Sequence, residues 1–336
     1  MRGKRLRRGA CLMAICLAAL CAFSPACRAA SQDRVSGTGY FFDTVVTVTL
    51  YGAPEGLMDE IWASCGAYER LLSKTVSGSD VDRINQAHGE TVTVNADTWD
   101  ILSRALEVSR ATGGAFSVTI APVTALWDFT RGTHRKPSAD ELAAALPLVA
   151  DDRLQLGEGY TVTLPDGMQV DLGGIAKGYI ADRIAEKVRG RVTAAVLNFG
   201  GNVYTVGRKS DGSAFRVAVR DPQSEAEEGM LVLSVGDTSV VTSGTYERFF
   251  IEDGVKYHHI LDPVTGYPAA SDLDSATVIC ESSMTADAYA TACIVLGSEK
   301  ALQLLEDQGL PGLLITKSGE VLTTAGFEDM CPIYYY

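Results

Sequence analysis

The sequence predicts an α+β fold, a mixed and largely antiparallel sheet with helices packed on its faces. Three observations carry that expectation. Strand-like and helix-like apolar periods are mixed along the chain without the strict alternation of a parallel sheet. Several strand-like runs follow one another after residue 190, with turns at Asp211-Gly212 and Asp253-Gly254. The composition is ordinary globular, 46% hydrophobic and 21% charged, with enough apolar residues for an ample core and no low-complexity tract or repeat.

Met1 to Arg8 carries five Lys/Arg, and Ala10 to Phe23 is an apolar run too short for a spanning helix. This is the pattern of a secretory signal peptide over residues 1–30, which predicts an exported protein, periplasmic or on the outer face of the cell membrane. Ser24-Pro25-Ala26 before Cys27 is a poor version of a leucine-led lipobox, so a lipid anchor stays open. Residues 31–336 are read as a single domain, with two intimate subdomains as the alternative. Cys65, Cys280, Cys293 and Cys331 remain outside the leader, with no metal or redox spacing, and isolated thiols or one disulfide are both open.

Thr44 to Tyr51 is a β-branched run, followed by a helix around Gly56 to Ser73. A second helix runs from Ala96 to Thr112 and stops at Gly113-Gly114. Ser138 caps a third, with Asp140 and Glu141 in its first turn and Pro147 beyond its end. Tyr160 to Leu164, Val192 to Asn198, Ala214 to Val219, Leu231 to Val235 and Thr238 to Thr242 read as strands. A late helix covers Met284 to Leu296, and a short one ends at Gly309.

Met168 to Leu172 reads as a short strand that turns through Gly173-Gly174 into a helix, whose apolar residues recur at Ile175, Ile180, Ile184 and Val188. Such a corner presents unpaired N–H groups and the positive end of the helix dipole, and Lys177 adds charge. The same glycines also serve where a helix must sit close to a sheet. Asp287 and Thr291 are four apart, so a carboxylate and a hydroxyl share one helix face, hard oxygens that suit Mg²⁺. The competing expectation is an aspartate that only complements the dipole of a helix capped by Thr285. His258 and His259 follow a hairpin turned at Asp253-Gly254; neighbours on a strand face opposite sides, so at most one reaches a given site. Asn198 with Gly200-Gly201 brings a strand end to a cleft or makes a tight turn.

A net charge of −13 with pI near 4.8 argues against nucleic acid as a partner. It also means that a phosphate ligand must be held by local devices. There is no Gly-x-Ser-x-Gly elbow, Walker loop or His-Glu-x-x-His. Gly37-Thr38-Gly39 lacks the third glycine and the helix of a dinucleotide fingerprint.

The residues Asp171-Leu172-Gly173-Gly174-Ile175-Ala176-Lys177-Gly178, Asn198-Phe199-Gly200-Gly201-Asn202, Thr242-Ser243-Gly244, His259-Ile260-Leu261-Asp262-Pro263-Val264-Thr265-Gly266 and Ala286-Asp287-Ala288 together resemble the ApbE family, the FAD:protein FMN transferases. Phe42-Asp43-Thr44, Glu69-Arg70-Leu71-Leu72-Ser73 and Gly114-Ala115-Phe116 match its early motifs in order, so the resemblance spans nearly all of residues 31–336. It implies a tunnel-like α+β fold that binds FAD in an elongated cleft and uses Mg²⁺ to cleave the pyrophosphate. FMN passes to a threonine or serine of an acceptor, and AMP leaves. It further implies metal ligands at Asp287, Thr291 and the Gly174 carbonyl. The nucleotide would be lined by Phe42, Thr75, Ala115, Phe116, Ser117, Asp171, Lys177 and His259. The acceptor's proton would go to His259 or Asp287. The acceptor would be a membrane electron-transfer subunit exposed outside the cytoplasm. Ser117 replaces a common aspartate and Thr75 a frequent tyrosine. Two alternatives stand beside this reading: a periplasmic FAD pyrophosphatase with water as nucleophile, and a non-catalytic flavin-binding protein.

Overall fold

The computed structural model describes residues 34–129, 134–224, 226 and 228–335. The signal-peptide and lipid-anchor expectations, on residues 1–30, lie outside these residues. The chain opens with β1 (Arg34–Phe41) and β2 (Thr44–Tyr51), paired in antiparallel register from Arg34↔Tyr51 to Phe41↔Thr44. Helix α1 (Leu57–Leu72) buries Leu57, Ile61, Cys65 and Leu72, a helical stripe. Then come α2 (Asp80–Asn85), β3 (Thr91–Thr93), α3 (Ala96–Ala111) and α4 (Ala121–Trp127). Helix α5 (Ala139–Ala145) starts on the expected cap, with Ser138 accepting from the Glu141 N–H and Glu141 reaching back to the Ser138 N–H. Strands β4 (Gln155–Gly157) and β5 (Thr161–Thr163) pair with each other, and β5 also pairs with β3.

The second half runs α6 (Ala176–Val188), β6 (Ala194–Phe199), β7 (Asn202–Gly207), β8 (Phe215–Arg220), β9 (Gly229–Val235) and β10 (Thr238–Gly244). The hairpin β11 (Phe249–Glu252) and β12 (Val255–His258) precedes β13 (Leu273–Cys280) and α7 (Ser283–Leu296). The described chain ends with α8 (Ser298–Asp307), β14 (Gly312–Thr316), β15 (Val321–Thr323), α9 (Phe327–Met330) and β16 (Ile333–Tyr335).

Eight strands form one sheet in the order β1-β2-β6-β7-β10-β13-β14-β15, every neighbouring pair antiparallel. The two-residue period of a strand explains how both faces are covered. Val241, Ala276, Val278 and Leu314 join the large core with residues of α1, α3, α6 and α7. Their neighbours Val240, Ile279, Leu313 and Ile315 pack on the other face against Phe215, Val217, Leu231 and Leu233 of β8 and β9. The α+β expectation holds, and the sheet is antiparallel throughout.

Three local expectations change. Met168 to Leu172 is not a strand, because its polar backbone groups are satisfied outside any ladder: Asn85 bonds both the N–H and the carbonyl of Val170, and the Asp171 N–H donates to the Val118 carbonyl. Helix α7 is capped by Ser282, whose hydroxyl accepts from the Thr285 N–H, so Asp287 lies beyond the first turn and is buried. Its dipole-complementing alternative therefore falls. The cysteines Cys65, Cys280, Cys293 and Cys331 are free thiols, and burial pushes Cys65 and Cys293 up to about 12.

Helices α6 and α7 touch at Gly178. A Cβ there would stand 2.2 Å from the Ser283 carbonyl oxygen and 2.7 Å from Met284 Cα, both backbone atoms. Alanine in place of a helical glycine ordinarily gains up to about 1 kcal/mol, but forcing apart packed backbones costs about 1–3 kcal/mol. The clash wins, so Gly178→Ala is expected to lower Tm by several degrees. A melting curve as stable as wild type would overturn this close-approach account.

Candidate active site

A cleft of about 530 Å³, within the usual range for a small-molecule site, opens at the ends of the central strands. Phe42, Thr75, Ala115, Phe116, Ser117, Asp171, Gly174, Lys177, His259, Asp287 and Thr291 all line it. Residues separated by as much as 249 positions are thus brought to one place by the β1–β2 turn, the α1–α2 and α3–α4 loops, the start of α6, the end of β12 and the second and third turns of α7.

Asp287 organises the floor. Its side chain is only 3% exposed; Oδ2 accepts the Gly178 N–H at 3.0 Å, and Oδ1 lies 3.6 Å from Lys177 Nζ. Gly178 is the third residue of α6, so its N–H is one of the first-turn donors without a helical acceptor, and Asp287 satisfies it. The Gly174 carbonyl, ahead of the N-cap Ile175, has no donor among the described residues. Gly174 faces Thr291, whose Oγ1 would be 3.6 Å from a Cβ placed there. The Thr291 hydroxyl donates to the Asp287 carbonyl at 3.1 Å and lies 3.4 Å from Ser243 Oγ. An unpaired carbonyl, a buried carboxylate and a hydroxyl make a hard-oxygen donor set that fits Mg²⁺. Among the described residues no group of three or more His, Cys, Asp or Glu competes with it as a metal site. Neither Gly173 nor Gly174 has a positive φ. Gly174 sits at close approach: a Cβ would stand 3.1 Å from the Phe116 ring, which would have to give by a few tenths of an ångström.

Asp171 accepts from Lys74 Nζ at 2.5 Å and from the Gly173 N–H at 2.9 Å. Burial opposes its charge, but Lys74 and these donors hold its carboxyl below the ordinary range. Phe42 occupies the left-handed region at φ 56, a conformation uncommon for a bulky residue, and its N–H donates to Glu69 Oε1 at 2.8 Å. Ser117 donates to Asp151 Oδ1 at 2.9 Å, and the same carboxylate takes the N–H of Val118 and both donors of Thr119. A carboxylate therefore stands beside the position where Ser117 departs from the family pattern. Thr75 Oγ1 pairs with Ser73 Oγ at 3.0 Å.

The two histidines divide as the sequence expects. His259 lines the cleft, while His258, the last residue of β12, is buried with Nε2 at 3.3 Å from the Ala269 carbonyl. The Nδ1 of His259 lies 3.3 Å from the Arg248 carbonyl, an arrangement that assigns the proton to Nδ1 and leaves Nε2 an acceptor. Burial and then nearby Arg248 lower His259 to about 3, and burial lowers His258 to about 4. Gly200 also lines the cleft, at the β6–β7 turn where Gly200 and Gly201 take φ of 60° and 95°. Both expectations for that motif hold at once.

Sequence reasoning did not single out Lys74, Asp151, Glu247 or Arg248. Lys74, Glu247 and Arg248 line the cleft. Only Glu247 and Arg248, just ahead of the hairpin turned at Asp253-Gly254, had a nearby signal.

Comparison with known proteins agrees with this geometry. The ApbE family model matches residues 42–314. A FAD:protein FMN transferase of Treponema pallidum (strain Nichols) is 37% identical over 290 residues, covering 81% of this chain and 80% of the relative. One from Klebsiella pneumoniae (strain 342) is 35% identical over 301 residues, covering 88% and 93%. The crystal structure of the ApbE protein from Thermotoga maritima superposes with a TM-score of 0.83 at 30% identity, over 88% of this chain and 99% of that one.

The neutral histidines make stability depend on pH. In the unfolded chain both rings protonate as pH falls through about 6.5, whereas the folded chain keeps His258 neutral to about 4 and His259 to about 3. Their contribution is complete above pH 6.5 and is lost on acidification, each ring adding up to about 1.4 kcal/mol per pH unit to the slope. His258→Leu is expected to remove one proton from that slope between pH 6.5 and 4. Denaturant melts of both proteins across the window check this, and identical slopes would contradict a neutral His258.

Proposed function

The chain belongs to the ApbE family, and on that premise we propose that it transfers FMN from FAD to a Thr or Ser hydroxyl of an exported acceptor protein, releasing AMP. It is a transferase whose substrates are FAD and a protein. One observation supports the chemistry above others: the Gly174 carbonyl, without a donor among the described residues, lies with Asp287, Thr291, Lys177 and His259 around one cleft. Mg²⁺ held by Gly174, Asp287 and Thr291 would supply charge neutralisation on the pyrophosphate oxygens.

The chain's own residues account for the rest. Lys177 and the start of α6 favour negative charge at the pyrophosphate. The rings of Phe42 and Phe116 offer faces for the planar parts of FAD, and Thr75, Ala115, Ser117 and the Lys74-paired Asp171 line its remaining length. The acceptor oxygen attacks the FMN-side phosphorus, the bond to the bridging oxygen breaks, and its electron pair leaves with AMP. The hydroxyl proton goes to Nε2 of neutral His259. Asp287 is the less suited base, since it already faces the Gly178 N–H and Lys177. The leader-like N-terminus supports an exported enzyme, in the periplasm or on the outer face of the membrane, acting on a membrane electron-transfer subunit.

The experiment is incubation of the protein with FAD, Mg²⁺ and a candidate acceptor, reading AMP release and flavin fluorescence that survives denaturation on the acceptor. Free FMN with every acceptor, and never an adduct, would replace this reading by FAD pyrophosphatase activity. Asp287→Ala is expected to lower metal-dependent turnover by about 10²-fold or more, and Thr291→Ala less. His259→Ala should lose roughly 10²–10⁴ in single-turnover transfer while His258→Ala keeps its rate. A folded Asp287→Ala protein with wild-type activity at low Mg²⁺ would sink the metal assignment.

A further inference from the structure

The β11–β12 hairpin stands beside the cleft, and among the described residues no other strand pairs with either outer edge. Its register determines which peptide groups face outward. The two-residue turn Asp253-Gly254 closes on the pair Glu252↔Val255, and the His259 N–H donates to the Arg248 carbonyl. Peptide groups of Arg248, Phe250 and Glu252 therefore point into the ladder. By alternation those of Phe249 and Ile251 point away from it, with no hydrogen bond among the described residues. Their side chains are open as well, 42% and 66% exposed, whereas Phe250 and Tyr257 pack against Trp127 on the opposite face.

Proteins ordinarily blunt such an edge with charge, proline or cover. Here the edge leads somewhere. Glu247 and Arg248, the two residues ahead of β11, line the cleft, and His259 pairs with Arg248 across the ladder. A chain laid along β11 is thus continuous with the cleft wall.

We propose that β11 is the docking edge for the acceptor polypeptide, which adds as an extended strand against Phe249 and Ile251 and carries its hydroxyl residue into the cleft past Glu247 and Arg248. This rests on the FMN-transfer reading above. That reaction requires a polypeptide to enter this cleft, and main-chain pairing captures an extended segment whatever its side chains. Pairing with a second copy of the chain is the competing occupant of the same edge.

The test uses the soluble domain of a membrane electron-transfer subunit that carries FMN on a threonine, produced with that threonine unmodified. Ile251→Pro removes one outward N–H and leaves the ladder bonds intact, since proline is tolerated where an edge strand faces solvent. The acceptor KM is expected to rise about 10-fold or more, as for one lost main-chain hydrogen bond, with FAD affinity and the transfer rate at saturating acceptor unchanged. In the wild type, acceptor should slow amide exchange at Phe249 and Ile251. Ile251→Asp, which keeps the backbone but sets a charge on the docking edge, is the independent variant if the proline protein does not fold, and it too is expected to raise the acceptor KM. Unchanged acceptor KM with efficient labelling overturns the docking edge and leaves the transfer reading standing. Protection of these amides that grows with the enzyme's own concentration overturns it in favour of self-pairing. Wild-type protein that splits FAD but never labels the acceptor overturns the transfer reading, and the docking edge with it.

Discussion

The approach of α6 to α7 at Gly178 is the constraint from which the site follows. With no side chain between them, the α6 backbone comes near enough for the Gly178 N–H, a first-turn donor without a helical acceptor, to reach Asp287. One turn further along α6, Asp182 holds the other helix in place. Its carboxylate accepts the Ser283 N–H at 2.6 Å, the Met284 N–H at 3.0 Å and the Ser282 hydroxyl at 3.1 Å, satisfying donors that the first turn of α7 would otherwise leave orphaned. Burial pushes the Asp182 carboxyl up to about 6 against those three donors. The same face of α6 thus sets the position of α7 and the orientation of Asp287, next to the Gly174 carbonyl and Thr291.

Electrostatics sets what so acidic a chain needs if it is to suit an anionic substrate. Six carboxylates line the cleft, those of Asp43, Asp82, Asp128, Asp171, Glu247 and Asp287, against three cations: Lys74 contacts Asp171, Lys177 lies near Asp287 and Glu247, and Arg248 is the third. The wall is therefore negative, as is the whole protein at −13. On the proposed reading, a divalent cation and the start of α6 supply the added positive charge that the pyrophosphate meets, at distances where screening by salt is weak. His259 stays neutral in this setting because both burial and its cationic neighbours oppose protonation.

Local signals were legible where the determinant lies within one element. The apolar period of α1, the capping box at Ser138 and the β-branched run of β2 needed no tertiary information. The site residues were reached through motifs, and the resemblance they carry supplied roles that spacing alone left open. What escaped the sequence depends on distant partners. Met168 to Leu172 has strand-like composition, but its bonds go to Asn85 and Val118. The cap of α7 fell to Ser282 rather than Thr285, two hydroxyls three residues apart that differ only in where the helix begins. Asp151 bonds Ser117 from 34 positions away and Lys74 pairs with Asp171 across 97, and no local pattern announces either.

Water and a serine or threonine hydroxyl are alike as nucleophiles, and both would attack the same phosphorus. Residues that bind FAD and neutralise its pyrophosphate therefore cannot choose between FMN transfer and hydrolysis. The choice lies in what reaches the phosphorus in line and what is kept out. Well-oriented intramolecular nucleophiles attain effective concentrations of about 10⁵–10⁸ M, which no free solute approaches. Glu247 is exposed in this cleft, so the described residues do not cover it there. If a polypeptide paired with β11 completes that wall, it both displaces water and supplies the competing hydroxyl. Preference for transfer is then a property of the complex of enzyme and acceptor, and the free enzyme would hydrolyse FAD with the same residues.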